Sequence, residues 1–159
     1  MEAQTMITTH SAQATRGLGQ QIGGHLADGD AVCLSGELGA GKTHFIQGLA
    51  HGWGALEPVT SPTYTLLNTY TRQKDTQRFY HLDCYRLAGP EDAVTLAFDD
   101  ILDAPGVLVI EWAERIEGLL PEDCLWIGAE VTGETARQFT FWASGPRALK
   151  LLEAVGDSH

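Results

Sequence analysis

The sequence predicts an α/β sandwich built on a mixed sheet, and three features predict it. First, the apolar segment Ala31 to Leu34 runs into a glycine-rich turn. Beyond the turn Phe45, Ile46, Leu49, Ala50 and Trp53 recur at helical spacing. Second, Val107-Leu108-Val109-Ile110 is a continuous apolar run, the pattern of a strand buried on both faces. Third, Thr65 to Thr71 with Arg78 to Cys84, and Leu125 to Val131 with Gln138 to Ala143, alternate around polar turns and read as antiparallel hairpins.

The elements follow in order. Ala14, Leu18, Ile22 and Leu26 recur every four residues, giving an amphipathic helix over 11–27 with Ser11 as its N-cap. Asp28-Gly29-Asp30 ends that helix and leads into the first core strand. The second helix is broken by Gly52 and Gly54. A polar stretch, Val59-Thr60-Ser61-Pro62-Thr63-Tyr64, is held open by proline and begins a segment, 59–66, that precedes the first hairpin. Pro90 to Phe98 suits a short helix with Pro90 near its first turn. The second hairpin and a final helix, Pro146 to Val155, occupy 124–156. With 159 residues and no repeat or low-complexity linker, one domain is expected.

Gly36-Glu37-Leu38-Gly39-Ala40-Gly41-Lys42-Thr43 is a complete G-x-x-x-x-G-K-S/T phosphate-binding loop in its proper strand–loop–helix setting. Glycines let the backbone curl so that N–H groups point at phosphate oxygens, and the helix N-terminus adds partial positive charge. Lys42 then reaches the outer phosphates, and the Thr43 hydroxyl is placed to ligate magnesium. Chance would produce such a match in roughly one chain of this size in several hundred. The fold class is therefore a P-loop NTPase-like three-layer sandwich with a mixed, mostly parallel sheet and antiparallel hairpins.

The formal net charge is −11, from 21 acidic and 10 basic side chains. This balance disfavours independent binding to nucleic acid, which needs a basic surface. Cys33, Cys84 and Cys124 are widely spaced without a C-x-x-C, so neither a disulfide framework nor a zinc knuckle is indicated. Met1 to Ser11 lacks the apolar core of a signal peptide, and no stretch approaches the roughly 20 apolar residues of a membrane span. A soluble, cytoplasmic chain is expected.

Hydrolysis requires magnesium ligands beyond the loop. Glu111 ends the buried run Val107 to Ile110, either at the carboxyl edge of the sheet where ligands of open α/β sheets gather or as a surface acid just past the strand end. Asp83 ends the returning strand of the first hairpin, and position alone allows either a magnesium ligand or an ion pair with Arg86. Thr60-Ser61-Pro62-Thr63 lies where a nucleotide-sensing switch would sit, or forms an ordinary Ser-Pro turn. Trp112 fills the core, walls the phosphate site or packs on a partner. His81, nearest this chemistry, reads as structural. Asp103-Ala104-Pro105-Gly106 imitates the D-x-x-G switch of GTPases but precedes a strand instead of closing one, and an N-K-x-D guanine motif is lacking. A GTPase is disfavoured.

Together the loop, Val59-Thr60-Ser61-Pro62-Thr63-Tyr64-Thr65-Leu66, His81-Leu82-Asp83-Cys84-Tyr85-Arg86-Leu87, Ile110-Glu111-Trp112-Ala113-Glu114 and Leu120-Pro121 resemble the TsaE family. The resemblance runs from about Ala14 to Leu125. It implies a small ATPase of bacterial tRNA threonylcarbamoyladenosine modification that binds ATP with Mg2+ and is weak alone. It also implies TsaB and TsaD as partners, with tRNA reached only through that complex and hydrolysis resetting it between turnovers. By motif position, Lys42 holds phosphates, Thr43 and Glu111 serve magnesium, and Asp83 is an acidic residue needed for hydrolysis and a further magnesium ligand. Thr63 is the switch hydroxyl, and Ser11, Thr15 and Arg137 are placed near the adenine. The chain departs from the family pattern at Glu37, His44, Cys84 and Ala97 without losing a magnesium ligand.

Two other classes compete. A small-molecule P-loop kinase normally closes an arginine-bearing lid, yet arginines here are few and scattered. A nucleotide-dependent scaffold would not need both Asp83 and Glu111.

Overall fold

The computed structural model describes residues 4–36, 41–59, 67–84 and 103–157. Strand β1 (Gln4–Thr9), helix α1 (Ala12–Gly23), strand β2 (Ala31–Gly36) and helix α2 (Lys42–Trp53) come first. Strands β3 (Leu67–Thr71), β4 (Arg78–Asp83) and β5 (Gly106–Glu111) follow, then a 3-10 segment, Ala113–Leu119. Strands β6 (Leu125–Val131) and β7 (Arg137–Ala143) and helix α3 (Pro146–Asp157) come last. The strands form a sheet in the order β1-β7-β6-β2-β5-β4-β3. The middle, β6-β2-β5-β4, is parallel; β7, β1 and β3 join antiparallel at its flanks. This is the mixed α/β sheet that the apolar runs and hairpins predict.

Burial on both faces explains the unbroken apolar runs of β2 and β5. Val32, Leu34, Val107 and Val109 meet Phe45, Ile46 and Leu49 of α2 on one face. Ala31, Cys33, Leu108 and Ile110 turn to the other, against Ala113 and Ile116 of the 3-10 segment. Because the side-chain period of a strand is two, each strand feeds both cores and neither face tolerates a polar residue until the strand end. Glu111 is where β5 ends.

Helices α1 and α2 pack backbone to backbone through glycines. A Cβ on Gly19 would strike the Phe45 carbonyl, and one on Gly23 the Leu49 carbonyl. Likewise Gly48 faces the Arg16 carbonyl and Gly52 the Gln20 carbonyl. Gly52 is therefore not a break, contrary to the spacing argument, but a contact inside α2. That helix ends at Trp53, where left-handed Gly54 donates to the Ala50 and His51 carbonyls. Arg72 fixes this end. Its guanidinium lies 4.4 Å over the Trp53 ring, donates to the Trp53 carbonyl at 3.0 Å and pairs with Asp75.

Two further differences from expectation have physical causes. Helix α1 begins as predicted, with the Ser11 hydroxyl accepting from the Ala14 N–H, but stops at Gly23 rather than residue 27. Gly24 caps it by donating to the Gln20 and Ile22 carbonyls, and Leu26 is buried beyond the helix. Strand β1 was not anticipated from its polar sequence. It forms by pairing with β7 from Gln4 opposite Trp142 to Thr9 opposite Arg137. The helix expected over Pro90 to Phe98 and, apart from Val59, the segment 59–66 lie outside the described residues.

Candidate functional site

A cleft of about 540 Å³ opens at the carboxyl ends of β4 and β5, beside the start of α2. Three walls build it. The first is the loop and helix. Gly41, at φ 93°, turns the chain into α2 without a side-chain cap, so the first-turn N–H groups keep no intrahelical acceptor. Lys42 and Thr43, the first residues of α2, line the cleft. Glu37, Leu38, Gly39 and Ala40 lie outside the described residues, as do Thr63 and Arg86.

The second wall is acidic. Parallel pairing sets Asp83 of β4 opposite Glu111 of β5, and both side chains line the cleft. Glu111 is 5% exposed and bonds through Oε2 to His81 Nε2 at 2.8 Å. Trp112 closes this side. Its ring centroid lies 3.9 Å from Lys42 Nζ, which also donates to the Gly36 carbonyl at 2.7 Å. Burial lowers the Lys42 pKa from its ordinary 10.5, and Glu111, Glu114 and Asp83 oppose that shift by favouring the charged form.

The third wall comes from the far end of the sheet. Pairing of β1 with β7 brings the start of α1 against the β6–β7 turn. Ser11 and Thr15 from the one, and Glu134, Thr135 and Arg137 from the other, all line the cleft. The Thr15 hydroxyl is fixed by the Thr9 hydroxyl at 2.6 Å. A Cβ on Gly41 would sit 3.6 to 3.7 Å from Phe139, Arg137 and Thr15, so this wall abuts the loop directly.

Of the residues singled out in the sequence, Ser11, Thr15, Gly41, Lys42 and Thr43 thus share one cleft with Asp83, Glu111 and Arg137. Gly36 joins them through its carbonyl. His44, Glu134 and Thr135 line the same cleft but carry no motif. His81 had a signal: two residues before Asp83 on a strand, it shares that residue's face.

The donor chemistry is that of hard oxygens. A hydroxyl and two carboxylates could hold Mg2+, which takes one or two carboxylates together with phosphate oxygens. Among the described residues no group of three or more His, Cys, Asp or Glu is placed to hold a metal ion by itself. All three cysteines are buried free thiols. The bond to Cys124 and burial push the Cys33 thiol far up, and burial pushes Cys84 up to about 12.

Comparison with known proteins decides the family. The model of threonylcarbamoyl adenosine biosynthesis protein TsaE matches residues 9–139. The chain belongs to the TsaE family. It is 42% identical over 132 residues to the tRNA threonylcarbamoyladenosine biosynthesis protein TsaE of Treponema pallidum, covering 83% of this chain and 96% of that one. Its likeness to the Bacillus subtilis protein of the same description is 34% over 147 residues, or 92% and 90% of the two chains. The fold superposes on the crystal structure of Bacillus subtilis YdiB with a TM-score of 0.80 and 31% identity, spanning 99% of this chain and 97% of that one. The matched TsaE segment contains every candidate cleft residue named above, from Ser11 to Arg137.

Proposed function

We propose that this chain is a single-domain, cytoplasmic, Mg2+-dependent ATPase of tRNA threonylcarbamoyladenosine modification. It acts with TsaB and TsaD and meets tRNA only through them. The observation that carries this reading is the convergence of the loop residues Lys42 and Thr43 with Asp83 and Glu111 in one cleft of a TsaE-family chain. The net charge of −11 supports indirect contact with tRNA. Among the described residues no helix is long and apolar enough to cross a membrane.

In this reading the α2 N-terminus and loop N–H groups bind the phosphates, and Lys42 neutralises the outer ones. Thr43 and Glu111 would hold Mg2+, with Asp83 beside them. Bound there, the metal would neutralise charge on the transferred phosphoryl group. Trp112 and the walls around it exclude water from Lys42. Glu37, Leu38, Gly39 and Ala40 complete the cradle, and Thr63 supplies the switch hydroxyl. Ser11, Thr15 and Arg137 hold the adenosine end.

The test is phosphate release from Mg·ATP by the chain alone and with purified TsaB and TsaD. Weak release that rises with the pair, and an Asp83→Ala variant that binds ATP without hydrolysing it, support the ATPase. Unchanged function in Asp83→Ala would indicate a scaffold. Transfer of phosphate to an added metabolite would indicate the kinase.

A further inference from the structure

We infer that His81 is a positioning residue for Glu111, gripping one carboxylate oxygen from behind so that the other is kept for the cleft. This rests on the ATPase reading of the cleft and names a part of its machinery that no motif argument assigns.

The geometry is specific. His81 is 1% exposed and Glu111 is 5% exposed, and the bond between them, 2.8 Å, is buried. The β4–β5 register sets His81 opposite Val109 and Asp83 opposite Glu111, so all four point to one face of the sheet. On that face the residue before His81 is Phe79, wholly buried against Trp53 and Tyr70. Along that face of β4, His81 thus lies between Phe79 and Asp83.

His81 spends its polarity on this one contact. With Glu111 as a carboxylate, which only accepts, Nε2 is the donor of this bond. Nδ1 is buried and has no partner among the described residues. A histidine serving packing alone would satisfy both nitrogens or be replaced by an apolar ring at no loss. A carboxylate at a strand end can adopt several rotamers, and the bond to Nε2 selects one. Residues that orient a metal ligand in this way typically change metal affinity or activity by about 10- to 100-fold when removed.

The experiment compares wild type, His81→Leu and His81→Gln. The glutamine amide offers a donor near the Nε2 position, whereas leucine fills space only. Melting temperature, binding of a non-hydrolysable ATP analogue in EDTA, and Mn2+ affinity of the analogue complex by EPR are measured together. We expect His81→Leu to melt near wild type and bind the analogue in EDTA as wild type does, yet to lose about 10- to 100-fold in Mn2+ affinity. His81→Gln recovers most of that loss. Wild-type Mn2+ affinity in His81→Leu, or a glutamine variant no better than leucine, overturns the inference while the ATPase reading stands. A wild-type protein without metal-dependent analogue binding sinks the ATPase reading and this inference together. Should His81→Leu not fold, the wild type decides: the His81 Nε2 resonance shifts when Mg2+ joins the analogue complex, and an unmoved resonance overturns the role.

Discussion

The Lys42 ammonium lies 3.9 Å from the centroid of the Trp112 ring, and Trp112 reaches that position with φ 56°. Left-handed backbone is costly for a bulky side chain, by about 1–2 kcal/mol, and such strain concentrates at functional sites. The fold holds it here because Glu111 ends a fully buried strand and Ala113 begins the 3-10 segment with no exposure. One residue between two buried anchors must turn the chain and face the cleft.

A cation over an aromatic face is worth about 0.5–2 kcal/mol. If this contact presents Lys42 to phosphate, Trp112→Ala weakens ATP binding by roughly 3- to 30-fold, while Trp112→Phe stays within about 3-fold. Calorimetric titration with a non-hydrolysable analogue measures both. Trp112→Gly should be about 1 kcal/mol more stable than Trp112→Ala, since glycine accepts the positive φ. Equal melting of the two would remove strain from the explanation.

Lys42 also gives the cleft a pH dependence. Burial lowers its pKa below the ordinary 10.5, so the folded protein releases this proton before the unfolded chain does. Two consequences follow in the window between the lowered value and 10.5. The free fold gains stability as pH rises, because only the unfolded chain still carries the extra proton. ATP affinity should fall over the same window, because the charge proposed to meet phosphate is lost. Lys42→Arg stays charged and should show no such fall. A binding profile for wild type that is flat to pH 10.5 would contradict the buried placement of Lys42.

Glycines of the α1–α2 pair divide into two kinds. Gly17 has nothing within 4 Å of a Cβ, whereas Gly48 on the facing helix sits against the Arg16 carbonyl. Gly17→Ala should stabilise by about 0.5–1 kcal/mol through helix propensity and a stiffer unfolded chain. Gly48→Ala should destabilise by about 1–3 kcal/mol as the helices are pushed apart. Denaturant melts of the two single variants check the contrast, and the same sign for both would refute the close packing.

What the sequence makes legible follows from how local each signal is. The parallel middle of the sheet is written in β2 and β5 as unbroken apolar runs, and the Ser11 cap is visible because capping acts within three residues. Strand β1 is different. Gln4 to Thr9 forms a strand only against β7, more than a hundred positions away, so its half-polar pattern carries no local mark. Gly52 looked like a breaker because helix propensity ignores the neighbouring helix that needs it. In the cleft, Lys42 and Glu111 stand out by motif and by position after an apolar run. Glu134 and Thr135 do not, since a turn between two edge-side strands delivers them and nothing in their own residues says where that turn points.

Single-turnover hydrolysis of ATP by wild type and Glu111→Gln, each with TsaB and TsaD, bears most directly on the proposed chemistry. The glutamine keeps the size of the side chain and a polar partner for His81 but removes the charge that would hold the metal. Binding of ATP within about 3-fold of wild type, with hydrolysis slowed by at least about 100-fold, is the expected result. Hydrolysis at the wild-type rate in Glu111→Gln would contradict the assignment of this cleft as a magnesium-dependent ATPase site.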